Sequence, residues 1–207
     1  MTYKNRSVPL DESYAQLLQR HGAIKYLHQQ GFIHRDVKPS NIMIDKFGEP
    51  KVLDFGLAKD VEDGKLTRSQ ATIGTPQYMS PEQARGKTRE IDSQTDVYAL
   101  GVILYEFLVG QLPFRGNVMQ IMYKIVNEEP ADIKKNVPTD LKAICFKAIE
   151  KEKSKRYKTA GEFAKELENF QNAKPIKARP VTAFVKFQKW VDRKSTRLNS
   201  SHGKLYR

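Results

Sequence analysis

Apolar residues recur at helical spacing in four stretches of the chain. Residues 11–30 repeat them every three or four positions, which predicts a helix with one buried face. Residues 95–109 are apolar on nearly all sides, which predicts a helix enclosed in a core and too short to cross a bilayer. Residues 139–150 and 159–170 predict two more helices, the second with a Thr-x-x-Glu capping box at its start.

A β-hairpin is predicted between the first two of these helices. Residues 42–45 and 50–53 are prone to form strands, and the segment between them contains a glycine suited to a turn. With the turn centred on the Phe-Gly step, Ile42 would face Leu53 across the hairpin. The residues that flank the strands would then lie at the open end, where neighbouring strands are about 4.8 Å apart.

Charged and amide side chains flank this hairpin. Asp36, Lys38 and Asn41 precede it, and Asp54 follows it. Together they supply a base, a cation and two oxygen ligands, which is the set that phosphoryl transfer requires. Oxygen ligands suit Mg²⁺, which keeps positions open for phosphates, and the sequence has no His/Cys cluster for zinc.

Three short motifs carry a resemblance to a known family. Residues 34–41 read His-Arg-Asp-Val-Lys-Pro-Ser-Asn, residues 54–56 read Asp-Phe-Gly, and residues 80–82 read Ser-Pro-Glu. In this order, they resemble the catalytic loop, the metal-binding triplet and the Ala-Pro-Glu element of the eukaryotic-type serine/threonine protein kinases, in particular their bacterial branch. Val37 and Ser80 replace the usual leucine and alanine, and both changes are conservative.

The resemblance implies four catalytic residues. Asp36 would accept or orient the proton of the substrate hydroxyl, and Lys38 would neutralise charge on the transferred phosphate. Asn41 would hold a metal ion beside them, and Thr75 would contact both Asp36 and Lys38. The implied enzyme is an ATP-dependent protein kinase that phosphorylates serine or threonine in protein substrates.

The implied cofactors are ATP and Mg²⁺. Asn41 and Asp54 would be the metal ligands. Lys38 would contact the phosphates, and Met43 would lie under the adenine. These four residues form the implied nucleotide site.

The polar segment at 57–80 is too long and irregular for a simple connection, which predicts a functional loop. By resemblance it is the activation loop. Thr67, Ser69 and Thr72 are its candidate phosphorylation sites. A phosphate group on one of them could pair with the Arg35 guanidinium. The alternative is that these residues are solvated loop hydroxyls.

The resemblance implies that six more residues support the site: His34, Phe55, Gly56, Glu82, Asp96 and Arg156. Of these, Asp96 would anchor the backbone of the catalytic loop, and Arg156 would form an ion pair with Glu82. An exposed, unpaired arginine is the alternative for Arg156. Cys145, the lone cysteine, lies in an apolar helical stretch and is predicted to be a buried thiol.

The fold class that follows is mainly α with short β-hairpins, in the form of the large C-terminal lobe of a protein kinase. The smaller β-lobe of the family carries a Gly-rich loop, a lysine and a glutamate that clamp ATP, and no segment of the sequence resembles them. We therefore expect a kinase lobe over residues 1–173 that works with an N-terminal lobe of the same polypeptide. We expect negligible activity from this chain alone.

Positive charge is concentrated after residue 150. The chain has 36 Lys and Arg against 24 Asp and Glu, a net charge of +12. Residues 1–150 hold 20 basic and 19 acidic side chains, and residues 151–207 hold the remaining 16 and 5. A lobe of nearly balanced charge argues against nucleic acid as its partner.

Two segments follow the predicted lobe. Residues 174–191 are a basic, proline-flanked linker and an aromatic-bearing helix, which either contact anionic membrane lipid or pack back on the lobe. Residues 192–207 begin with a run that equals the translation of a common short-read sequencing adapter, with a genuine basic tail as the alternative. We expect a cytoplasmic kinase domain, and membrane anchoring of the full-length protein stays open.

Two other functions remain open beside the kinase. One is a pseudokinase or kinase-like scaffold that binds partners without phosphotransfer. The intact Asp36, Lys38, Asn41 and Asp54 argue against it. The other is a basic module that binds membrane or nucleic acid, which only the charge of the C-terminal segment supports.

Overall fold

A computed structural model describes residues 22–44, 50–53, 76–133 and 137–178 of the chain, and within these ranges the fold is mainly helical, as predicted. Its α-helices there are α1 (Gly22–Gln29), α2 (Pro81–Ala84), α3 (Ser93–Val109), α4 (Val118–Asn127), α5 (Thr139–Ala148) and α6 (Ala160–Gln171). Two strands, β1 (Ile42–Ile44) and β2 (Pro50–Val52), form an antiparallel hairpin. Short 3₁₀ turns lie at Pro39–Asn41, Pro76–Tyr78, Thr88–Glu90 and Lys153–Lys155.

Helix α3 is the centre of the fold, and most of its side chains are buried. It begins two residues earlier than predicted because Asp92 caps it. The Asp92 carboxylate accepts a hydrogen bond from the Gln94 N–H, and the Asp92 N–H donates to the Thr95 hydroxyl. The helix ends as predicted at Gly110, whose φ of +74° is the left-handed conformation that glycine adopts readily. Helices α5 and α6 pack on α3, and α1 packs on α6.

Helices α3 and α5 approach closely at Gly101. A Cβ atom at Gly101 would lie 2.6 Å from the Cβ atom of Ala148 and 2.7 Å from Cγ2 of Ile149. Cys145 lies on the same interface, with its Sγ 3.7 Å from the Gly101 carbonyl oxygen. Burial raises the pKa of the Cys145 thiol. The lone cysteine is thus the buried thiol that the sequence predicts.

The substitution Gly101→Ala is expected to lower the free energy of unfolding by about 1–3 kcal/mol, because the added methyl group overlaps Ala148. Gly161→Ala in α6 is the matched control, since its Cβ atom would have no neighbour closer than 3.4 Å. The control is expected to leave stability unchanged or slightly raised, because alanine has the higher helix propensity. Urea denaturation of both variants measures the difference. Equal stability of Gly101→Ala and the wild type would contradict the close packing.

The register of the hairpin differs from the prediction by one residue. Ile42 pairs with Val52 rather than with Leu53. The Leu53 N–H donates to the Asn41 carbonyl oxygen at 2.8 Å, next to the start of β1 and the end of β2. This hydrogen bond fixes the pairing at the open end of the hairpin. The prediction rested on the turn preference of glycine and could not take this hydrogen bond into account. Leu53 therefore lies level with Asn41.

The start of α6 is capped differently from the predicted capping box. The Thr159 hydroxyl accepts a hydrogen bond from the Glu162 N–H at 3.2 Å, as the box requires. The Glu162 carboxylate, however, accepts from the Lys158 N–H at 2.9 Å, one residue before the cap. One hydrogen bond of the predicted box is therefore present. In place of the second, the Glu162 carboxylate accepts from the N–H of the residue before the cap.

Helix α1 is the described part of the helix predicted over residues 11–30. Gly31 follows it with a φ of +80°, the left-handed conformation in which glycine often ends a helix. Residues 11–21 lie outside the described residues. Among the helices that the structure describes, none is both long enough and apolar enough to cross a membrane.

Candidate functional site

A buried carboxylate at the start of α3 holds the predicted catalytic loop. The two oxygens of Asp96 accept hydrogen bonds from the backbone N–H groups of His34 and Arg35, each at 2.8 Å. Because Asp96 is only 1% exposed, water competes little with these charge-assisted hydrogen bonds. The anchoring contact that the resemblance implies for Asp96 is present.

His28, which the sequence analysis did not single out, completes this anchor. Its Nε2 lies 2.9 Å from Oδ2 of Asp96, and its Nδ1 accepts from the Ala160 N–H at 3.4 Å. A ring with its proton on Nε2 satisfies both contacts. His28 therefore joins α1, α3 and α6 beneath the catalytic loop. The available signal was its position four residues after the buried Ile24, on the same helix face.

His34 links the catalytic loop to the hairpin. Its side chain is buried, with Nε2 3.1 Å from the Leu53 carbonyl oxygen. Its Nδ1 accepts from the Asp36 N–H at 3.3 Å. Both contacts fit a ring that carries its proton on Nε2. The imidazole thus fixes the strand end at Leu53 against the loop that presents Asp36.

Asp36, Lys38 and Asn41 come together on this loop. The Lys38 ammonium lies 2.7 Å from Oδ2 of Asp36, and the two side chains are 17% and 31% exposed. The Asn41 amide nitrogen donates to the Asp36 carbonyl oxygen at 2.8 Å and to Oδ2 at 3.2 Å. Asn41 itself is buried. The buried amide therefore holds the Asp36 carboxylate, which in turn pairs with the Lys38 ammonium, and solvent reaches both charged groups.

The side chain of Asn41 leaves one oxygen atom for a further ligand. Its amide nitrogen is bonded to Asp36, so its Oδ1 is the atom left to bind a hard cation, with the Ser40 hydroxyl 3.5 Å away. Met43 is 51% exposed and thus open to a ligand. Within the described ranges, no group of three or more His, Cys, Asp or Glu residues could hold a metal ion. Among the described residues, Asn41 is thus a candidate to supply one oxygen ligand to a Mg²⁺ ion.

Several predicted residues lie outside the ranges that the structure describes: Asp54, Phe55, Gly56, Thr67, Ser69, Thr72 and Thr75. Their roles in metal binding, catalysis and regulation therefore stay predictions.

Arg35 has a φ of +67°, a left-handed conformation that is uncommon for residues other than glycine. Two contacts hold this backbone: its N–H donates to Asp96, and its carbonyl oxygen accepts from Nε2 of Gln83 at 2.7 Å. Gln83 also forms a capping box with Ser80 at the start of α2. Gln83 was not predicted as part of the site, although the Ser-x-x-Gln spacing was an available signal for its position at a helix start.

The predicted ion pair between Arg156 and Glu82 is present and buried. The guanidinium donates two parallel hydrogen bonds of 2.8 Å to the two carboxylate oxygens, and neither side chain is more than 2% exposed. The Thr95 hydroxyl also donates to Glu82, and Arg156 lies 5.0 Å from the centre of the Tyr98 ring. Burial alone would raise the pKa of Glu82, but the hydrogen bonds and charge of Arg156 outweigh it and hold this pKa below its ordinary value.

Tyr78 connects the segment before α2 to α3. Its hydroxyl donates to Oε2 of Glu106 at 2.6 Å. Burial, followed by the hydrogen bond and charge of Glu106, raises the pKa of Tyr78. This contact explains why a glutamate interrupts the otherwise apolar pattern of α3.

The substitution His28→Ala is expected to lower the free energy of unfolding by about 1–3 kcal/mol, because Asp96 loses a buried hydrogen-bond donor. Gln29→Ala, at the exposed neighbouring position, is the control and is expected to stay within about 0.5 kcal/mol of the wild type. Chemical denaturation of both variants measures the effect. If the two variants were equally stable, His28 would not contribute to the anchor.

Comparison with known proteins relates this chain to one family. Residues 2–169 match the family model described as protein kinase domain. The chain is 42% identical over 165 residues to the serine/threonine-protein kinase PknB of Mycobacterium tuberculosis, which covers 77% of this chain and 26% of that protein. It is 45% identical over 151 residues to PknB of Mycolicibacterium smegmatis, which covers 70% and 24%. A probable serine/threonine-protein kinase PknB of Bifidobacterium longum is 43% identical over 156 residues, which covers 72% and 22%.

The chain spans about a quarter of the length of these curated relatives. The family match includes all three motifs that carry the resemblance. It also includes Asp96, whose contacts hold the loop of the first motif. The chain therefore belongs to the protein kinase domain family, among the bacterial eukaryotic-type serine/threonine kinases.

Proposed function

We propose that the protein transfers the γ-phosphate of ATP to serine or threonine hydroxyls of other proteins. The observation that carries this proposal is the cluster of Asp36, Lys38 and Asn41 on a loop anchored by Asp96. The Asp36 carboxylate lies within hydrogen-bond distance of both the Lys38 ammonium and the Asn41 amide nitrogen, so a base, a cation and an amide that also carries an oxygen ligand lie side by side. Such a set suits phosphoryl transfer, in which catalysis is mostly positioning and stabilisation of charge.

Asp36 is proposed to orient the substrate hydroxyl and to accept its proton. The hydroxyl oxygen then attacks the γ-phosphorus while the bond from that phosphorus to the bridging oxygen breaks and ADP leaves. Lys38, whose ammonium lies 2.7 Å from Oδ2 of Asp36, neutralises charge on the transferred group. Thr75 is proposed to contact both residues. The anchoring by Asp96 supports this role because it fixes the loop before substrate arrives.

Asn41 and Asp54 are proposed to hold Mg²⁺, and Met43 to lie under the adenine of ATP. When bound, Mg²⁺ neutralises charge on the phosphates. The orientation of Asn41 supports this proposal, because its amide nitrogen is bonded to Asp36 and its oxygen remains to bind the metal.

The Arg35 guanidinium is proposed to pair with a phosphate group carried by Thr67, Ser69 or Thr72 of the activation loop. A phosphate carries close to two negative charges and pairs well with a guanidinium. The contact between the Arg35 carbonyl oxygen and Gln83 supports a regulatory role, because it ties this residue to the segment that follows the activation loop.

The 207-residue chain by itself is proposed to have negligible kinase activity. Its sequence contains no segment that resembles the Gly-rich loop, lysine and glutamate with which the smaller lobe clamps ATP. Robust phosphorylation of a protein substrate by the purified chain would contradict this proposal.

Phosphotransfer from ATP tests the proposed function in a longer protein that joins this lobe to its own N-terminal lobe. With Mg²⁺ and labelled ATP, we expect label on serine or threonine of an added protein substrate and none on a substrate whose only hydroxyl residues are tyrosines. The absence of label on both substrates, in a folded protein that binds ATP, would favour the scaffold. Label on tyrosine alone would overturn the assignment of the acceptor.

A further inference from the structure

The chain remains on the lobe after α6 ends. Residues 174–178, the first five of the predicted linker, are called the strap here. Ile176 packs against the core, Lys177 is exposed, and Ala178 is only 2% exposed. This alternation is typical of an extended segment that lies along a surface.

A tight turn directs the strap back onto the lobe. The Lys174 N–H donates to the Asn169 carbonyl oxygen at 2.8 Å, and the Ala173 N–H donates to the Phe170 carbonyl oxygen at 3.1 Å. These are the two hydrogen bonds of a Schellman motif. Ala173 has a φ of +50°, where glycine is usual and a Cβ atom is strained. Such strain persists where neighbouring contacts hold the backbone in place.

A buried carboxylate supplies contacts of this kind. Glu166 on α6 is 3% exposed, and its two oxygens accept from the Lys177 N–H at 3.0 and 2.9 Å. One of them also accepts from the Ala178 N–H at 2.8 Å. Burial, and after it the charge of Glu166, raises the pKa of Tyr157, so this hydroxyl also lies near the carboxylate. The backbone N–H groups of the strap contribute the hydrogen bonds that compensate the buried charge.

We propose that Glu166 is a latch that docks the strap by binding its main chain, so that the folded unit extends through Ala178. The family match ends earlier, at residue 169. Release of the strap would remove these main-chain donors from a buried carboxylate and would expose Ile176 and Ala178 together. Both losses oppose release, so the docked strap is expected to be the stable state. This inference does not depend on phosphotransfer.

Amide hydrogen exchange on the full 207-residue chain tests the latch, measured by NMR and corrected for intrinsic rates. In the wild type, the amides of Lys177 and Ala178 are expected to exchange about 10-fold to 100-fold more slowly than in an unstructured peptide. Glu166→Gln replaces one acceptor oxygen by a donor and is expected to remove most of this protection. Glu168→Gln on the same helix, whose side chain is 42% exposed, is the matched control and is expected to leave the protection unchanged.

Lys177→Gln separates main-chain binding from an attraction between side-chain charges. This variant keeps the N–H group and removes the charge, so the amides of residues 177 and 178 are expected to remain protected. Loss of protection in Lys177→Gln would overturn the latch, as would unchanged protection in Glu166→Gln. Unprotected amides in the wild type would overturn it regardless of whether Glu166→Gln folds.

Discussion

Replacement of Arg156 by methionine is expected to lower the free energy of unfolding by about 3–5 kcal/mol, because it leaves the Glu82 carboxylate buried without its countercharge. The guanidinium also donates to the carbonyl oxygens of Gln94, Glu150 and Lys151, and the variant loses these hydrogen bonds as well. Urea denaturation measures the loss. A variant as stable as the wild type would show that the buried pair contributes nothing.

Two further variants show whether burial of the ion pair causes this effect. Arg156→Met combined with Glu82→Leu removes both charges and is expected to be more stable than Arg156→Met alone, because no unpaired carboxylate remains. Lys87→Ala breaks the exposed ion pair between Lys87 and Glu90 and is expected to cause no measurable change.

The same ion pair predicts how stability depends on pH. The pKa of Glu82 in the folded protein lies below its ordinary value of 4.5, so the unfolded chain takes up the proton more readily. The stabilisation is therefore complete above pH 4.5 and is lost as the pH falls through the folded pKa. In Arg156→Met, burial without the countercharge is expected to hold the pKa of Glu82 above its ordinary value, so the sign of this contribution reverses. A denaturation series from pH 7 to lower pH is expected to show that the variant recovers part of its lost stability where the wild type loses some.

The substitution Asp36→Asn is expected to lower kcat by about 10²-fold to 10⁴-fold in a longer protein that includes the N-terminal lobe, because the proposed base is lost. The amide has nearly the same shape as the carboxylate, so little change in stability is expected. Initial rates at saturating ATP and protein substrate, together with thermal unfolding, separate the two effects. Asp140→Asn, at an exposed position on α5, is the control. Unchanged kcat in Asp36→Asn would show that Asp36 is not the catalytic base.

Residues that are close in sequence were the most predictable part of the site. Asp36, Lys38 and Asn41 lie within six positions, so a loop and a short 3₁₀ turn are enough to bring them together. Their spacing alone indicated a base, a cation and a ligand. Helices α1, α3, α5 and α6 were predicted for a similar reason, since an apolar pattern such as that of α3 is complete within one segment. Helices α2 and α4 were not predicted.

Contacts between distant residues could not be predicted from spacing. Asp96 and the pair of Arg156 and Glu82 were expected only through resemblance to a family. His28 and Gln83 were missed, because each makes its contact across about 50 to 70 positions of sequence. A histidine on a helix and a glutamine in a capping box can each contact many different partners. Only the tertiary packing decides that His28 contacts Asp96 and that Gln83 contacts Arg35.

The hairpin shows how one hydrogen bond can decide a detail that the pattern leaves open. Its two strands were predicted at nearly their observed positions. The predicted pairing differs from the observed pairing by one residue. The hydrogen bond from the Leu53 N–H to the Asn41 carbonyl oxygen determines the observed pairing. A shift of one residue exchanges which side chains face each other across a hairpin.

A crystal structure of the longer protein with a non-hydrolysable ATP analogue and Mg²⁺ tests most directly whether this loop is the phosphoryl-transfer site. We expect Oδ1 of Asn41 to ligate the metal ion and the Lys38 ammonium to lie within hydrogen-bond distance of the γ-phosphate. The Asp36 carboxylate is expected to face the open side of that phosphate. Phosphates bound away from Lys38, or a metal ion without Asn41 as a ligand, would show that phosphoryl transfer does not occur at this loop.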